Sequence, residues 1–168
     1  MSISIYDQSI ARMTHMLKNL DRLVSKAEAY AEANDIEPSV LLQARLFPTM
    51  RDFVFQVQVA TDMAKSGAAR LAGAEVPKWS DDEATFADVH ARIKKTLDFL
   101  ATFTPEQFED CESRELELKL GSHTVPFTGQ SYLLGFVMPN FYFHTTTAYN
   151  LLRHNGLDLS KRDFLGEI

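Results

Sequence analysis

The feature that most constrains the fold of this chain is an apolar stripe near its N-terminus. Apolar residues recur there in steps that alternate between four and three, at Tyr6, Ile10, Met13, Leu17, Leu20, Val24, Ala27 and Ala31. This spacing places all of these side chains on one face of an α-helix. Because so long an amphipathic helix has to bury that face, the stripe predicts a helix bundle.

A second helix is predicted between Pro48 and Gly73. Thr49 followed by Asp52 has the form of a capping box, and Gly73 is a natural left-handed stop. The inner face of this helix is predicted to be Met50, Phe53, Val57, Thr61, Ala64, Ala68 and Leu71. The opposite face is also apolar at three positions with helical spacing, namely Phe55, Val59 and Met63. A second stripe needs a second partner, either the preceding segment 39–47 or another subunit.

A third helix is predicted to begin at a capping box formed by Ser80 and Glu83. Its stripe is predicted to be Phe86, Val89, His90, Ile93, Leu97 and Leu100. The segment after it changes to a period of two, with Leu116, Leu118 and Leu120 alternating with charged residues. That alternation predicts a strand with one wet face, and segment 124–127 is predicted to return as its hairpin partner.

A fourth helix is predicted to begin after Thr128 and Gly129 and to end at Gly156. Its inner stripe is predicted to be Leu133, Val137, Asn140 or Phe141, His144, Ala148 and Leu151. Pro139 lies inside this run, so it either kinks one helix or separates two. The tail after Gly156 is expected to pack back on the bundle through Leu159 and Phe164.

The size and charge of the chain exclude several kinds of protein. At 168 residues the chain is predicted to form one domain, residues 1–168. A net charge of −6 without a Lys/Arg cluster argues against nucleic acid or an anionic membrane as a partner. A single cysteine, Cys111, allows no internal disulfide, and no segment has the pattern of a signal peptide or a membrane span. We therefore expect a cytoplasmic protein.

Four polar residues on inner or flanking helix positions are the candidates for a ligand-binding cleft. His144 is at the centre of its stripe with Asn140 one turn earlier, His90 is at the edge of the third stripe, and Gln56 flanks the second. Bundle interiors build metal and ligand sites from such inward side chains on facing helices. A different interpretation is that His144 is a core histidine that only satisfies its neighbours by hydrogen bonding.

A metal site is the sharper version of this hypothesis, with His144 as the ligand. A strong helical metal motif supplies two histidines four residues apart, and that second position here is Ala148. No Gly-rich phosphate loop, nucleophile elbow or HExxH motif is present, so the sequence leaves open whether the protein is an enzyme. Cys111 lies in the acidic stretch FEDCES, which is expected to raise its pKa and to weaken it as a nucleophile.

The segments LFPTMRDFVFQVQVATDMAKSGAARLAG, RIKKTLDFL and PNFYFHTTTAYNLLRHNGLDLSKRDFLG together resemble one protein family. They are similar to the DinB/YfiT-like superfamily of metal-dependent proteins, in its branch catalogued as a domain of unknown function. The resemblance implies an all-α, up-down-down-up four-helix bundle with a short β-hairpin before the last helix. It also implies a homodimer, which agrees with the second stripe of the second helix.

In that superfamily a divalent metal, often nickel or zinc, is held by one histidine of the second helix and two of the fourth. The resemblance places His144 at the first position of the fourth helix, Ala148 at the second, and Gln56 near the position on the second helix. Two of the three ligands are therefore replaced, which also weakens the thiol-transferase-like chemistry proposed for some relatives.

Three hypotheses about function follow. The first is a DinB-like protein whose cleft, lined by His144, Asn140, Gln56 and His90, binds a small molecule or a nickel or zinc ion. The second is a non-enzymatic, homodimeric structural or stress-related protein without metal. The third, nucleic-acid binding, conflicts with the negative charge.

Overall fold

The computed structural model describes residues 4–167, apart from the side chain of Leu120. The helices, in chain order, are α1 Arg12–Ala33, α2 Pro38–Leu42, α3 Phe53–Leu71, α4 Phe86–Leu100, α5 Gly129–Tyr132, α6 Met138–His154 and α7 Lys161–Leu165. Short π-helical turns, Asp7–Ala11 and Leu133–Val137, precede α1 and α6, and 3₁₀ turns span Pro105–Phe108 and Cys111–Ser113. Within the described residues, no helix is both long and apolar enough to cross a bilayer.

The four long helices α1, α3, α4 and α6 run up, down, down and up. α1 and α4 are antiparallel, because Tyr6 ahead of α1 donates to a backbone carbonyl just beyond α4. α3 and α4 are parallel, since Gln58 near the start of α3 bonds Glu83 just before α4. α3 and the final helical run are antiparallel, because Arg70 near the end of α3 bonds Tyr132 near the start of that run. The predicted bundle topology is confirmed.

The core is formed by the predicted stripes of the four long helices. Their central members are fully buried, among them Met13, Leu17, Val24, Phe53, Val57, Ala64, Ile93, Val137, Phe141 and Leu151. The second stripe of the second helix, Phe55, Val59 and Met63, is half-buried. The core therefore lies between all four helices, and α3 is apolar on more than one side.

Two helix starts differ from the prediction. α3 begins at Phe53 with Asp52 as its N-cap, because the Asp52 carboxylate accepts from the Phe55 N–H at 3.0 Å. Thr49 lies outside the helix, in the turn that precedes it. Asp is favoured over Thr as an N-cap residue, which agrees with Asp52 rather than Thr49 as the start of α3.

The predicted start of α4 at Ser80 and Glu83 is also wrong. α4 begins at Phe86, where Thr85 and Asp88 form the capping box. The carboxylate of Glu83 is not available for capping, since it accepts from Arg92 at 2.9 Å and from Gln58 at 2.8 Å.

Arg92 is a buried cation of α4 that fixes the long crossover between α3 and α4. Its guanidinium donates to Thr61 and Asp62 of α3 and to Ser80 and Glu83 of the crossover, at 2.7 to 3.1 Å. A buried charge needs this degree of pairing. Arg92 therefore holds residues 80–83 against the parallel helices.

The hairpin and the fourth helical run follow the sequence prediction closely. β1 Glu115–Leu120 pairs antiparallel with β2 His123–Thr128 in a two-stranded sheet. Pro139 does not divide the last helical run. The π-helical turn Leu133–Val137 lies directly before it, and the side-chain amide of Asn140 donates to the Phe136 carbonyl at 2.7 Å. The helical run is thus continuous from Gly129 to His154.

The C-terminal segment packs back on α1, as expected. Leu159 is buried and the ring of Phe164 meets that of Tyr149 edge-on. Lys26 of α1 donates to Asp163 at 2.5 Å, and this bond is the main cause that holds the pKa of Asp163 well below its usual range. The tail therefore completes the bundle on the side of α1.

Candidate functional site

The seam between α3 and α6 brings Gln56 and His144 into direct contact. The Gln56 Oε1 and His144 Nδ1 atoms are 2.8 Å apart. Gln56 is 2% exposed and His144 is half-buried. The sequence predicted that these two residues would converge from facing helices, and the structure brings them together.

A second bond of Gln56 fixes the orientation of its amide. Gln56 Nε2 donates to the carbonyl of Arg51 at 3.0 Å, so the amide nitrogen has to lie on that side and Oε1 on the other. An amide oxygen only accepts, and His144 Nδ1 must therefore carry the hydrogen. The pair sets the tautomer of His144, with a proton on Nδ1 and a lone pair on Nε2.

The lone pair of His144 Nε2 is accessible. Every buried side-chain nitrogen or oxygen in the described part of the chain has a hydrogen-bond partner, whereas Nε2 of His144 forms no such bond there. The atom therefore reaches solvent. Burial of the ring lowers the pKa of His144 from its ordinary value, which favours the neutral imidazole at physiological pH. The site presents an oriented, uncharged hydrogen-bond acceptor and base.

Two aromatic rings lie close to the imidazole. The Phe55 centroid lies 6.3 Å from that of His144 and the Phe143 centroid lies 5.1 Å from it, both edge-on. Arg51 lies over the Phe55 ring at 4.6 Å. Arg51 and Phe55 also form part of the wall of a neighbouring hollow of about 360 Å³. A ligand that bonds Nε2 would have its body against aromatic surface.

The other two candidate residues have different partners. Asn140 uses its side-chain N–H for the Phe136 carbonyl, in the turn that carries Pro139. His90 faces α1, where its Nδ1 is 2.6 Å from Asp21 and its Nε2 is 3.8 Å from Glu28. The expectation that His90 would converge with His144 is therefore wrong, because two carboxylates of α1 attract the imidazole of α4.

The residues at His144 do not fit the metal site that the resemblance implies. Ala148, where a second histidine would be, is fully buried and has no donor atom. The Gln56 oxygen is already bonded to His144 Nδ1, and amide oxygens are poor ligands for nickel or zinc. Among residues 4–167 there is no group of three or more His, Cys, Asp or Glu side chains placed to hold an ion.

Cys111 does not belong to this site. It is buried in the 3₁₀ turn Cys111–Ser113, and burial, with a contribution from Glu112, raises the pKa of its thiol. The sequence predicted a raised thiol pKa and therefore a weak nucleophile, and in the structure the thiol pKa is shifted in the same direction.

Sequence reasoning missed the two rings beside His144. Phe143 directly precedes His144, and Phe55, a member of the second stripe, directly precedes Gln56. The signal was available, since the two rings are the chain neighbours of the two residues that meet across the seam.

Comparisons with known proteins bear on the whole chain. A family model described as "Domain of unknown function (DUF1993)" matches residues 5–165. A crystal structure of a DinB family member protein from Shewanella denitrificans is 37% identical to the chain, with a TM-score of 0.89. That similarity covers 98% of this chain and 93% of the other. No curated protein matches the chain.

Proposed function

Because the chain belongs to the DUF1993 family, a DinB-like branch of unknown function, we propose its function from the α3–α6 seam. The protein binds a small organic molecule there, and His144 Nε2 is the atom that recognises it. The observation that carries the proposal is the bond between Gln56 and His144, which leaves Nε2 as an oriented acceptor.

The chemistry of the site defines the class of ligand. A neutral imidazole accepts from an O–H or N–H group, and the flanking rings of Phe55 and Phe143 favour a flat apolar body. The ligand is therefore a small aromatic or similarly flat molecule with one hydrogen-bond donor at its edge. Binding requires no protein-bound metal, and among the described residues at the seam a nickel or zinc ion has only His144 as a good ligand.

Two isosteric probes test this proposal, phenol and toluene. Long-range ¹H–¹⁵N spectra of the histidines report on each ring nitrogen separately. Phenol should shift the Nε2 resonance of His144, whereas toluene, which lacks the donor, should shift it much less. His123 and His154, which are exposed, serve as internal controls. Equal shifts with both probes, or none with either, would remove the proposed recognition by Nε2.

The metal version is tested on the same protein, purified without a histidine tag. We expect the purified protein to contain no stoichiometric metal. Nickel or zinc should change the melting temperature of the wild type by no more than it changes that of His144→Ala. A rise that depends on His144 would instead support the metal site.

A homodimeric protein without a ligand is the second candidate. It is supported by the half-buried apolar row of Phe55, Val59 and Met63 on α3, which is the kind of surface that a second subunit covers. Light scattering that gives a 19.0 kDa particle at micromolar concentration would contradict it. Both candidates are proposed for the cytoplasm, where the free thiol of Cys111 stays reduced.

A further inference from the structure

The hollow of about 360 Å³ beside the His144 seam shares the Phe55 ring with that seam. One part of its wall is apolar and is formed by Leu42, Val54, Phe55 and Ala84. Another part is charged and is formed by Arg51, Asp52 and Glu83. A concave space of this size, with an apolar wall and a few polar groups, is typical of a site for a small organic molecule.

Arg51 carries the charge in this wall that has no partner. The carboxylate of Asp52 caps α3 by accepting from the Phe55 N–H at 3.0 Å. The carboxylate of Glu83 accepts from the buried guanidinium of Arg92 at 2.9 Å. Among residues 4–167, the guanidinium of Arg51 forms no ion pair or hydrogen bond, and its contact is the ring of Phe55. Arg51 is therefore the charged group of the wall that is available to a ligand.

The position of Arg51 is coupled to that of His144. The Gln56 amide donates to the Arg51 carbonyl at 3.0 Å, and the oxygen of the same amide accepts from His144 Nδ1 at 2.8 Å. The Phe55 ring centroid lies 4.6 Å from Arg51 Cζ and 6.3 Å from the His144 centroid. A ligand with one aromatic ring beside Phe55 can therefore contact both polar groups.

The surroundings of the hollow favour a negatively charged group. The chain has a net charge of −6, yet residues 38–51, which supply part of the wall, contain Arg45 and Arg51 and no acidic residue. The first turn of α3 also borders the hollow, and the N-terminus of a helix favours negative charge. A guanidinium binds a carboxylate through two parallel hydrogen bonds, and its planar shape allows it to stay stacked on an aromatic ring.

We propose that the ligand of the seam is an aromatic carboxylate with a hydroxyl group on its ring. The carboxylate accepts from the Arg51 guanidinium, the ring packs against Phe55, and the hydroxyl donates to His144 Nε2. The inference rests on the proposed function for the hydroxyl end of the ligand. It adds the charge of the ligand and the residue that recognises this charge.

The experiment compares three probes of similar shape and different charge. 3-Hydroxybenzoate is an anion, its methyl ester is neutral, and 3-hydroxybenzylamine is a cation. Calorimetric titration measures each dissociation constant, and long-range ¹H–¹⁵N spectra report on His144 Nε2. Arg51→Gln removes the guanidinium and keeps the backbone carbonyl that Gln56 binds. Arg12→Gln is the matched control, because Arg12 is also exposed but lies on α1.

The wild type should bind 3-hydroxybenzoate at least about tenfold more tightly than the methyl ester, since a charge-assisted pair is stronger than a neutral hydrogen bond. The amine should bind most weakly. Arg51→Gln should bind the benzoate and the ester with equal affinity, and Arg12→Gln should behave as the wild type. Both substituted side chains are exposed, so both variants should keep the circular dichroism spectrum of the wild type.

Four results would overturn the inference: no binding of any probe, an ester that binds as tightly as the benzoate, an amine that binds more tightly than either, or a preference for the benzoate that survives Arg51→Gln. The proposed function is judged separately, because phenol tests recognition by His144 Nε2 without a carboxylate. An Arg51-dependent preference for the benzoate without any shift at Nε2 would remove the proposed function and support the carboxylate site by itself.

Discussion

Replacing Gln56 by leucine is the most direct perturbation of the site, because leucine keeps most of the volume and removes both hydrogen bonds. The bonds lost are those to His144 Nδ1 at 2.8 Å and to the Arg51 carbonyl at 3.0 Å. Each such bond contributes about 1 kcal/mol net, and a buried group that loses its partner costs about 1 to 3 kcal/mol.

Two effects reduce the cost of Gln56→Leu. His144 is half-buried, so water can replace part of its lost hydrogen bond. The methyl groups of leucine also gain some apolar burial. We therefore expect Gln56→Leu to lower the free energy of unfolding by about 2 kcal/mol, which corresponds to roughly 4 to 8 °C in melting temperature for a chain of this size.

Urea unfolding followed by circular dichroism measures this change. Gln130→Leu is the matched control, because Gln130 is exposed at the start of the last helical run. The control should stay within about 0.5 kcal/mol of the wild type. If Gln56→Leu were as stable as the control, the hydrogen bonds that orient the imidazole would contribute nothing, and the argument for a fixed tautomer would fail.

Three further predictions concern other parts of the molecule. Arg92→Leu should lower the free energy of unfolding by about 3 to 5 kcal/mol, measured in urea, because it leaves the buried carboxylate of Glu83 without a cationic partner; a loss under about 1 kcal/mol would contradict this role. Gly166→Ala should lower the melting temperature, since Gly166 has φ +73° and an added Cβ would collide with Asn19; an unchanged melting temperature would refute the close contact. In Gln56→Glu, the contribution of His144 to stability should change with acidification below about pH 6.5 in the opposite direction to the wild type. Urea titrations at pH 7.5 and 5.5 test this.

The sign of that last effect follows from the direction of the pKa shift. In the wild type burial lowers the pKa of His144, so on acidification the unfolded chain takes up the proton first and stability falls between pH 6.5 and the lower folded-state pKa. A carboxylate beside Nδ1 should raise the pKa instead, and stability from this residue should then grow on acidification. The same slope in both proteins would mean that residue 56 does not control the protonation of His144.

The helices were predictable because their apolar periodicity is long and regular. Most members of the four predicted stripes are buried, since the spacing assigns them to one helix face, although α3 also carries the half-buried stripe of Phe55, Val59 and Met63. The starts of α3 and α4 were less predictable, because capping motifs overlap in the sequence. Thr85 and Asp88 compete with Ser80 and Glu83, and only the buried Arg92 decides between them by binding Glu83.

The candidate site was predictable only in part. The inward positions of Gln56 and His144 follow from helical periodicity, but their contact depends on the register between α3 and α6, which no local pattern encodes. The position of His90 depended on the charges of another helix, Asp21 and Glu28 of α1. Long-range pairing between polar groups is therefore where the sequence-based prediction was wrong.

The state of His144 in the wild-type protein is the most direct test of the whole account. Long-range ¹H–¹⁵N spectra recorded from pH 8 to pH 5 identify which ring nitrogen carries the hydrogen and at which pH the ring is protonated. The structure predicts a hydrogen on Nδ1, a lone pair on Nε2, and a pKa below the ordinary value of histidine. A hydrogen on Nε2, or a pKa at or above that ordinary value, would contradict it.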